Sequence, residues 1–137
     1  MTNKANKDTK WHYFSGTLEY YNNKTTNDYG AYSLCMKLDD IDEYNKTGIQ
    51  VTVGEDNTVW FRRPKVKLMK GELVELGSPI TLDNQESPQP LNTLIGKGSR
   101  IVAKVKSYPT QKGTGHTLEA VKVIDLVKVE GSGEYNF

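Results

Sequence analysis

The chain has 137 residues, 36% hydrophobic and 26% charged, with a net charge of +1. That length supports one domain with a single core, not two, and the charge balance gives no bulk electrostatic sign of a polyanionic partner. No apolar run approaches the roughly 20 residues needed to span a bilayer as a helix.

A lone cysteine, Cys35, excludes an internal disulfide and fits a reducing compartment. The opening MTNKANKDTK lacks an apolar core, so no secretory signal is expected. Asn23 and Asn45 each begin an Asn-Lys-Thr pattern, read as chance matches in an Asn-rich chain without such a signal.

Residues 1–10 read as a flexible N-terminal segment in which Lys4, Lys7 and Lys10 are solvated. Residues 11–21, WHYFSGTLEYY, read as the first strand. Phe14, Gly16 and Leu18 share one face; Trp11, Tyr13 and Thr17 share the other. Gly16 marks a bend or bulge of the kind small barrels use to curl a long strand. His12 has no sequence partner for a metal or catalytic site and reads as an ordinary strand histidine. Residues 22–28 are a polar loop.

Residues 30–38, GAYSLCMKL, form the second strand. Tyr32, Leu34, Met36 and Leu38 make its apolar face. Ala31, Ser33, Cys35 and Lys37 make the other, small enough to leave room for a base or sugar. Cys35 lacks a neighbouring base and reads as packing rather than as a nucleophile. The acids of DDIDEYNKTG (39–48) lack the central Gly and terminal Glu of a calcium loop. They read as capping of a turn or one short helix.

Residues 49–53 and 58–63 read as strands around a turn at residues 54–57. In the second of these, Val59 and Phe61 fill the core while Trp60 and Arg62 stand on the open face. An exposed Trp beside an Arg suits base stacking. The competing assignment turns Trp60 inward and Phe61 outward. Residues 65–90 look like an insertion, with two short strands around Gly77-Ser78-Pro79 and an irregular connector through Pro88 and Pro90. Residues 91–95 suggest one helical turn.

The strand at residues 95–108 alternates with period two. Ile101, Ala103 and Val105 point one way; Arg100, Lys104, Lys106 and Tyr108 point the other, with Val102 the exception among them. Residues 109–115 read as a basic, glycine-containing loop, and residues 116–126 as the closing strand of a hairpin. Cations also cluster. Residues 57–71 contain Arg62, Arg63, Lys65, Lys67 and Lys70 without an acid, and residues 87–118 contain five more cations without one. Two such stretches can present one positive groove, or they are solvated faces.

Counted up, the pattern is an all-β domain: a five-stranded OB-fold barrel over residues 11–129, with an inserted hairpin-like segment and short irregular tails, the second being the flexible residues 130–137. An SH3-like barrel or a small sandwich would read similarly.

RRP (62–64), ELGSPITLDNQ (75–85), LIGKGSRIVAKVKSY (94–108) and GHTLEAVKVIDLV (115–127), with YSLCMKLDD (32–40), occur in an order that resembles the OB-fold single-stranded DNA-binding proteins of tailed bacteriophages. The resemblance covers roughly residues 30–129. It implies a protein that coats unwound DNA during phage replication and recombination, in the cytoplasm of the host cell, with no cofactor and no catalysis. Such proteins often end in a long acidic tail closed by an aromatic residue that recruits replication proteins. This chain ends in Phe137 with only Glu130 and Glu134 nearby, a departure that leaves recruitment weak, by another route, or dependent on a longer tail.

The candidate DNA-binding residues are Lys37, Trp60, Arg62, Arg63, Lys65, Arg100, Lys104, Lys106, Tyr108, Lys112 and His116. They combine cations with aromatic faces, as sequence-tolerant single-strand binding requires. Lys112 and His116 border the hairpin loop that in OB folds often clamps the strand. Ser99 lies in Gly-Lys-Gly-Ser, which lacks the earlier glycine of a phosphate loop. Two histidines and one cysteine do not support the common zinc sites. The alternatives are an OB-fold RNA binder and a protein-interaction barrel meeting an acidic partner.

Overall fold

The computed structural model describes residues 9–22, 26, 30–84, 95–111 and 113–127. The strands are β1 (Lys10–Asn22), β2 (Ala31–Leu38), β3 (Thr58–Pro64), β4 (Val66–Met69), β5 (Glu72–Glu75), β6 (Ile80–Leu82), β7 (Arg100–Thr110) and β8 (Gly113–Asp125). One short helix, α1 (Ile41–Asn45), follows β2. A six-stranded sheet runs in the order β3-β2-β1-β7-β8-β6, and β4 and β5 form a separate pair. All neighbours in the larger sheet are antiparallel except β6 and β8.

The long strand β1 serves two neighbours, as a curled sheet requires. Its first half pairs with β7 and its second half with β2, and Gly16 pairs with both Ile101 and Leu38. A Cβ at Gly16 would stand 2.1 Å from the Lys37 carbonyl oxygen, so only glycine fits where the strands curl. The expected bulge is a few residues later, between Leu18 and Tyr20. It reverses the facing parity: Phe14 and Leu18 point inward, whereas Tyr20 points outward and Tyr21 packs against the core.

The period-two patterns become one core. Phe14, Leu18, Leu34, Met36, Val59, Phe61, Ile101, Val105, Leu118 and Val121 are all buried. Each large side chain so buried contributes about 1.5–3 kcal/mol. The Phe14 and Phe61 rings stack at 5.4 Å, and Tyr44 from α1 meets them at 5.7 and 6.1 Å. The Tyr44 hydroxyl donates to the Val51 carbonyl at 2.9 Å, which satisfies its polar end. Asp40 caps α1 by accepting from the Glu43 N–H at 3.1 Å. Thus part of the acidic cluster caps a helix.

The far end is tied by Gly-Lys-Gly-Ser. Buried Ser99 donates from Oγ to the Gly96 carbonyl at 2.8 Å and accepts from the Val127 N–H at 2.8 Å. The Leu18 N–H donates to the Ser99 carbonyl at 2.8 Å. That turn therefore joins the start of β7 to the end of β8 and to β1. The meander β1–β2–β3, the shared β1 and the returning β7–β8 hairpin make this an all-β OB-fold.

Several local expectations are corrected. Residues 49–53 are not a strand: Ile49 makes one isolated bridge to Thr114, and a single 3₁₀ turn covers Glu55–Asn57. The inserted hairpin does not turn at Gly77-Ser78-Pro79. It is β4–β5, turning at Lys70 and Gly71, with φ of 52° and 81°, the positive pair that a type I′ turn needs. The strand after Gly77, β6, instead joins β8 in parallel. The supposed loop at residues 109–115 is largely ladder, since Pro109 pairs with Thr114 and Thr110 with Gly113. Gly115 permits this, because a Cβ there would stand 2.7 Å from the Tyr108 ring. The expectations for residues 1–8, for the loop at 23–25 and 27–29, for the connector and helical turn at 85–94, for Lys112, and for residues 128–137 with Phe137 lie outside the described residues.

Candidate nucleic-acid interface

Strand β3 sorts its side chains as its alternation demands. Val59 and Phe61 are fully buried, Trp60 is 43% exposed, and Arg62 is exposed. Trp60 is therefore outward. Across the sheet, Cys35 pairs with Tyr20 on one side and with Trp60 on the other. The two rings lie 5.6 Å apart, although strands two apart are separated by about 9–10 Å. They lean together over Cys35. This corrects the expectation of open space on β2: Ala31, Ser33 and Cys35 are buried, the last beneath the rings. Burial pushes the Cys35 thiol above its ordinary value, with a smaller contribution from Glu19.

Beside Trp60 lies a cleft of about 480 Å³ lined by Trp60 and Arg62, by Thr114 and His116 of β8, and by Gln50, Val51 and Thr52. His116 is a fixed part of its wall. Its Nε2 accepts from the Arg62 N–H at 3.0 Å, and its ring meets Phe61 edge-on at 5.7 Å. Burial, helped by the Arg62 charge, lowers its pKa to about 4. The ring is neutral near pH 7, with its proton on Nδ1, since Nε2 is accepting.

Arg63 faces the other way. Its guanidinium donates to the Leu76 carbonyl at 2.9 Å, the Gly77 carbonyl at 3.0 Å, the Leu118 carbonyl at 3.3 Å and Glu119 at 3.1 Å. It fastens the insertion to β8. Lys106 reaches the same Glu119 carboxylate at 3.8 Å. The two acid-free stretches therefore meet at an acid that follows the second of them. Arg100 is likewise engaged: it donates to Asp39, at 2.9 Å through one nitrogen, and to Thr17 at 3.1 Å. That bond lowers the Asp39 pKa. Lys37 and Lys65 are exposed.

On β7, Ile101, Ala103 and Val105 are buried, and Arg100, Val102, Lys104, Lys106 and Tyr108 are partly exposed, in the expected register. The Tyr108 hydroxyl bonds Thr117 at 3.1 Å, and Lys67 Nζ lies 4.3 Å from its ring centroid. Lys104 Nζ lies 4.7 Å from the Trp11 ring and 5.9 Å from that of Tyr13. These two aromatics, and Tyr20, were not among the candidates. Alternation along β1 put Trp11 and Tyr13 on the face opposite Phe14 and Leu18, without saying which face is outer. Their lysine neighbours follow only from the β1–β7 register, and Tyr20 faces outward only because of the bulge. Two surfaces emerge, one around Trp60 and Arg62 on β3 and one around Lys104 and Lys106 on β7.

The arrangement is that of an OB-fold with a cationic, aromatic outer surface. No family model and no curated protein sequence gives a significant match to the chain. The fold is similar to the crystal structure of gp2.5, a single-stranded DNA-binding protein encoded by bacteriophage T7, with a TM-score of 0.62 and 18% identity over 91% of this chain and 96% of that one.

Proposed function

We propose that this protein binds single-stranded DNA with little sequence preference and without catalysis. It coats and protects unwound DNA in phage replication and recombination, in the host cytoplasm. The observation that carries the reading is the cleft at Trp60 and Arg62. It offers an exposed indole and a cation together, on a barrel whose fold resembles that of a single-stranded DNA-binding protein. Trp60, with Tyr20 against it, stacks a base; Arg62 and the lysines of β7 meet phosphates. Each stacked base is worth about 1–3 kcal/mol and is indifferent to base identity. Lys37, Lys65 and Lys112 add sequence-independent attraction. Phage replication proteins are the expected protein partners, through the tail ending in Phe137.

The test is a titration with oligothymidine at several salt concentrations, read by Trp fluorescence, with duplex DNA and the matching RNA as competitors. The reading expects quenching, affinity that falls with salt, and weak competition by duplex. Preference for the RNA would make the protein an RNA binder. No binding at moderate salt would leave a protein-interaction barrel.

A further inference from the structure

The outer face of the β1–β7–β8 layer carries a second group of residues. Trp11 and Tyr13 are 49% and 57% exposed, both more than Trp60 at 43%. They pair in register with Lys106 and Lys104, respectively. Two positions apart on a strand, they stand about 7 Å from each other on the same face. Lys104 Nζ sits near both rings, and Lys106 Nζ lies 5.9 Å from Trp11. Beside Tyr13 is a recess of about 230 Å³, lined by Val102, Ala120 and Leu82, with Lys104 and Lys122 at its margin. Val102, the one apolar residue on the basic face of β7, helps to form it.

We infer that this recess and its two rings form a second nucleobase platform for single-stranded nucleic acid, separate from the cleft at Trp60. The inference rests on the proposed function. An apolar recess, two aromatic faces and three ammonium groups suit a base with its phosphates: the base needs an apolar or aromatic surface, and the phosphates need the cations. Phosphate binding draws Lys104 from the rings and exposes the faces it now covers. Both platforms lie on β1 or against it, Tyr20 near one end and Trp11 near the other. A strand that engages both follows the outer surface of β1.

The chain contains two tryptophans, Trp11 and Trp60, so each platform has its own reporter. Trp60→Phe leaves only Trp11, and Trp11→Phe leaves only Trp60. Each variant is titrated with end-labelled oligothymidine of about 16 nucleotides, the upper range for one OB fold. Saturation is read independently from the label's anisotropy. The expected result is quenching of both reporters at saturation. Unchanged Trp11 emission at saturation, with Trp60 quenched, overturns the second platform and leaves the proposed function standing. Absence of binding by the unaltered protein overturns both. In addition, Trp11→Ala with Tyr13→Ala should weaken binding by at least about fivefold, the lower range for one stacked base lost, with unchanged melting. A loss below about twofold, against that expectation, also overturns it.

Discussion

The backbone N–H of Arg62 donates to Nε2 of His116 at 3.0 Å, so one side chain of β8 holds a main-chain group of β3. The bond exists only while the imidazole is neutral. The folded-state pKa is lowered to about 4 from an ordinary 6.5. Stability from this group is therefore fully present above the unfolded value and is lost as pH falls through the folded one. We expect up to about 3 kcal/mol to disappear between those limits, at about 1.4 kcal/mol per unit. His116→Gln keeps an acceptor but does not titrate. Urea midpoints near neutral and near pH 4 should therefore differ less in this variant than in the parent.

Trp60→Ala should weaken oligothymidine binding by about 1–3 kcal/mol while leaving the core intact, because Val59 and Phe61 fill it. The same variant removes half of the cover over Cys35. Thiol alkylation, slow in the parent, should accelerate. Unchanged affinity with a large drop in melting temperature would assign Trp60 to structure instead.

Adjacent arginines should separate cleanly. Arg62→Ala should lower DNA affinity and change stability by less than about 0.5 kcal/mol. Arg63→Ala should destabilise by about 3 kcal/mol, because it strips partners from three carbonyls and Glu119. Chemical denaturation and oligothymidine titration of both variants check this. An Arg63→Ala protein of parental stability would contradict the clamp.

Lys104→Ala with Lys106→Ala should flatten the slope of log affinity against log salt by about 1.4, at about 0.7 per phosphate contact on a single strand. Val105, wholly buried between them, behaves oppositely. Val105→Lys places an unpaired charge in the core and should prevent stable folding. Retention of the salt slope in the double variant would remove these lysines from the interface.

The difference between what the residues revealed and what they concealed follows from the range of each interaction. The two-residue period of β7 has one physical outcome once a core exists, so Ile101, Ala103 and Val105 were assigned inward from sequence alone. The same logic turned Trp60 out and Phe61 in. The partners of Arg63 lie 13 to 56 residues away along the chain and those of Arg100 lie 61 and 83 away, and no local pattern distinguishes an arginine bound to carbonyls from one facing solvent. The inserted hairpin was misplaced because Gly77-Ser78-Pro79 is the stronger turn signal, whereas Lys70 adopts a positive φ that its side chain does not advertise. The bulge after Leu18 has no glycine to mark it, so Tyr20 was not placed on the outer face.

The outer edge of β8 is shared. Its middle carries β6 in parallel, while its earlier part meets β3 through His116, Leu118 and Glu119. Among the described residues, β3 and β8 are joined by side chains reaching across, not by a ladder. A barrel stitched in this way is expected to open at its stitches before the β1–β7–β8 ladders part, which hydrogen exchange of the β3 amides would show. Trp60 and Arg62 stand on one lip of that seam, Thr114 and His116 on the other. A guest seated in the cleft touches both lips and binds only while they are shut. If the cleft takes a ligand as proposed, occupancy and closure of the barrel are one equilibrium, and added oligothymidine should raise the melting temperature.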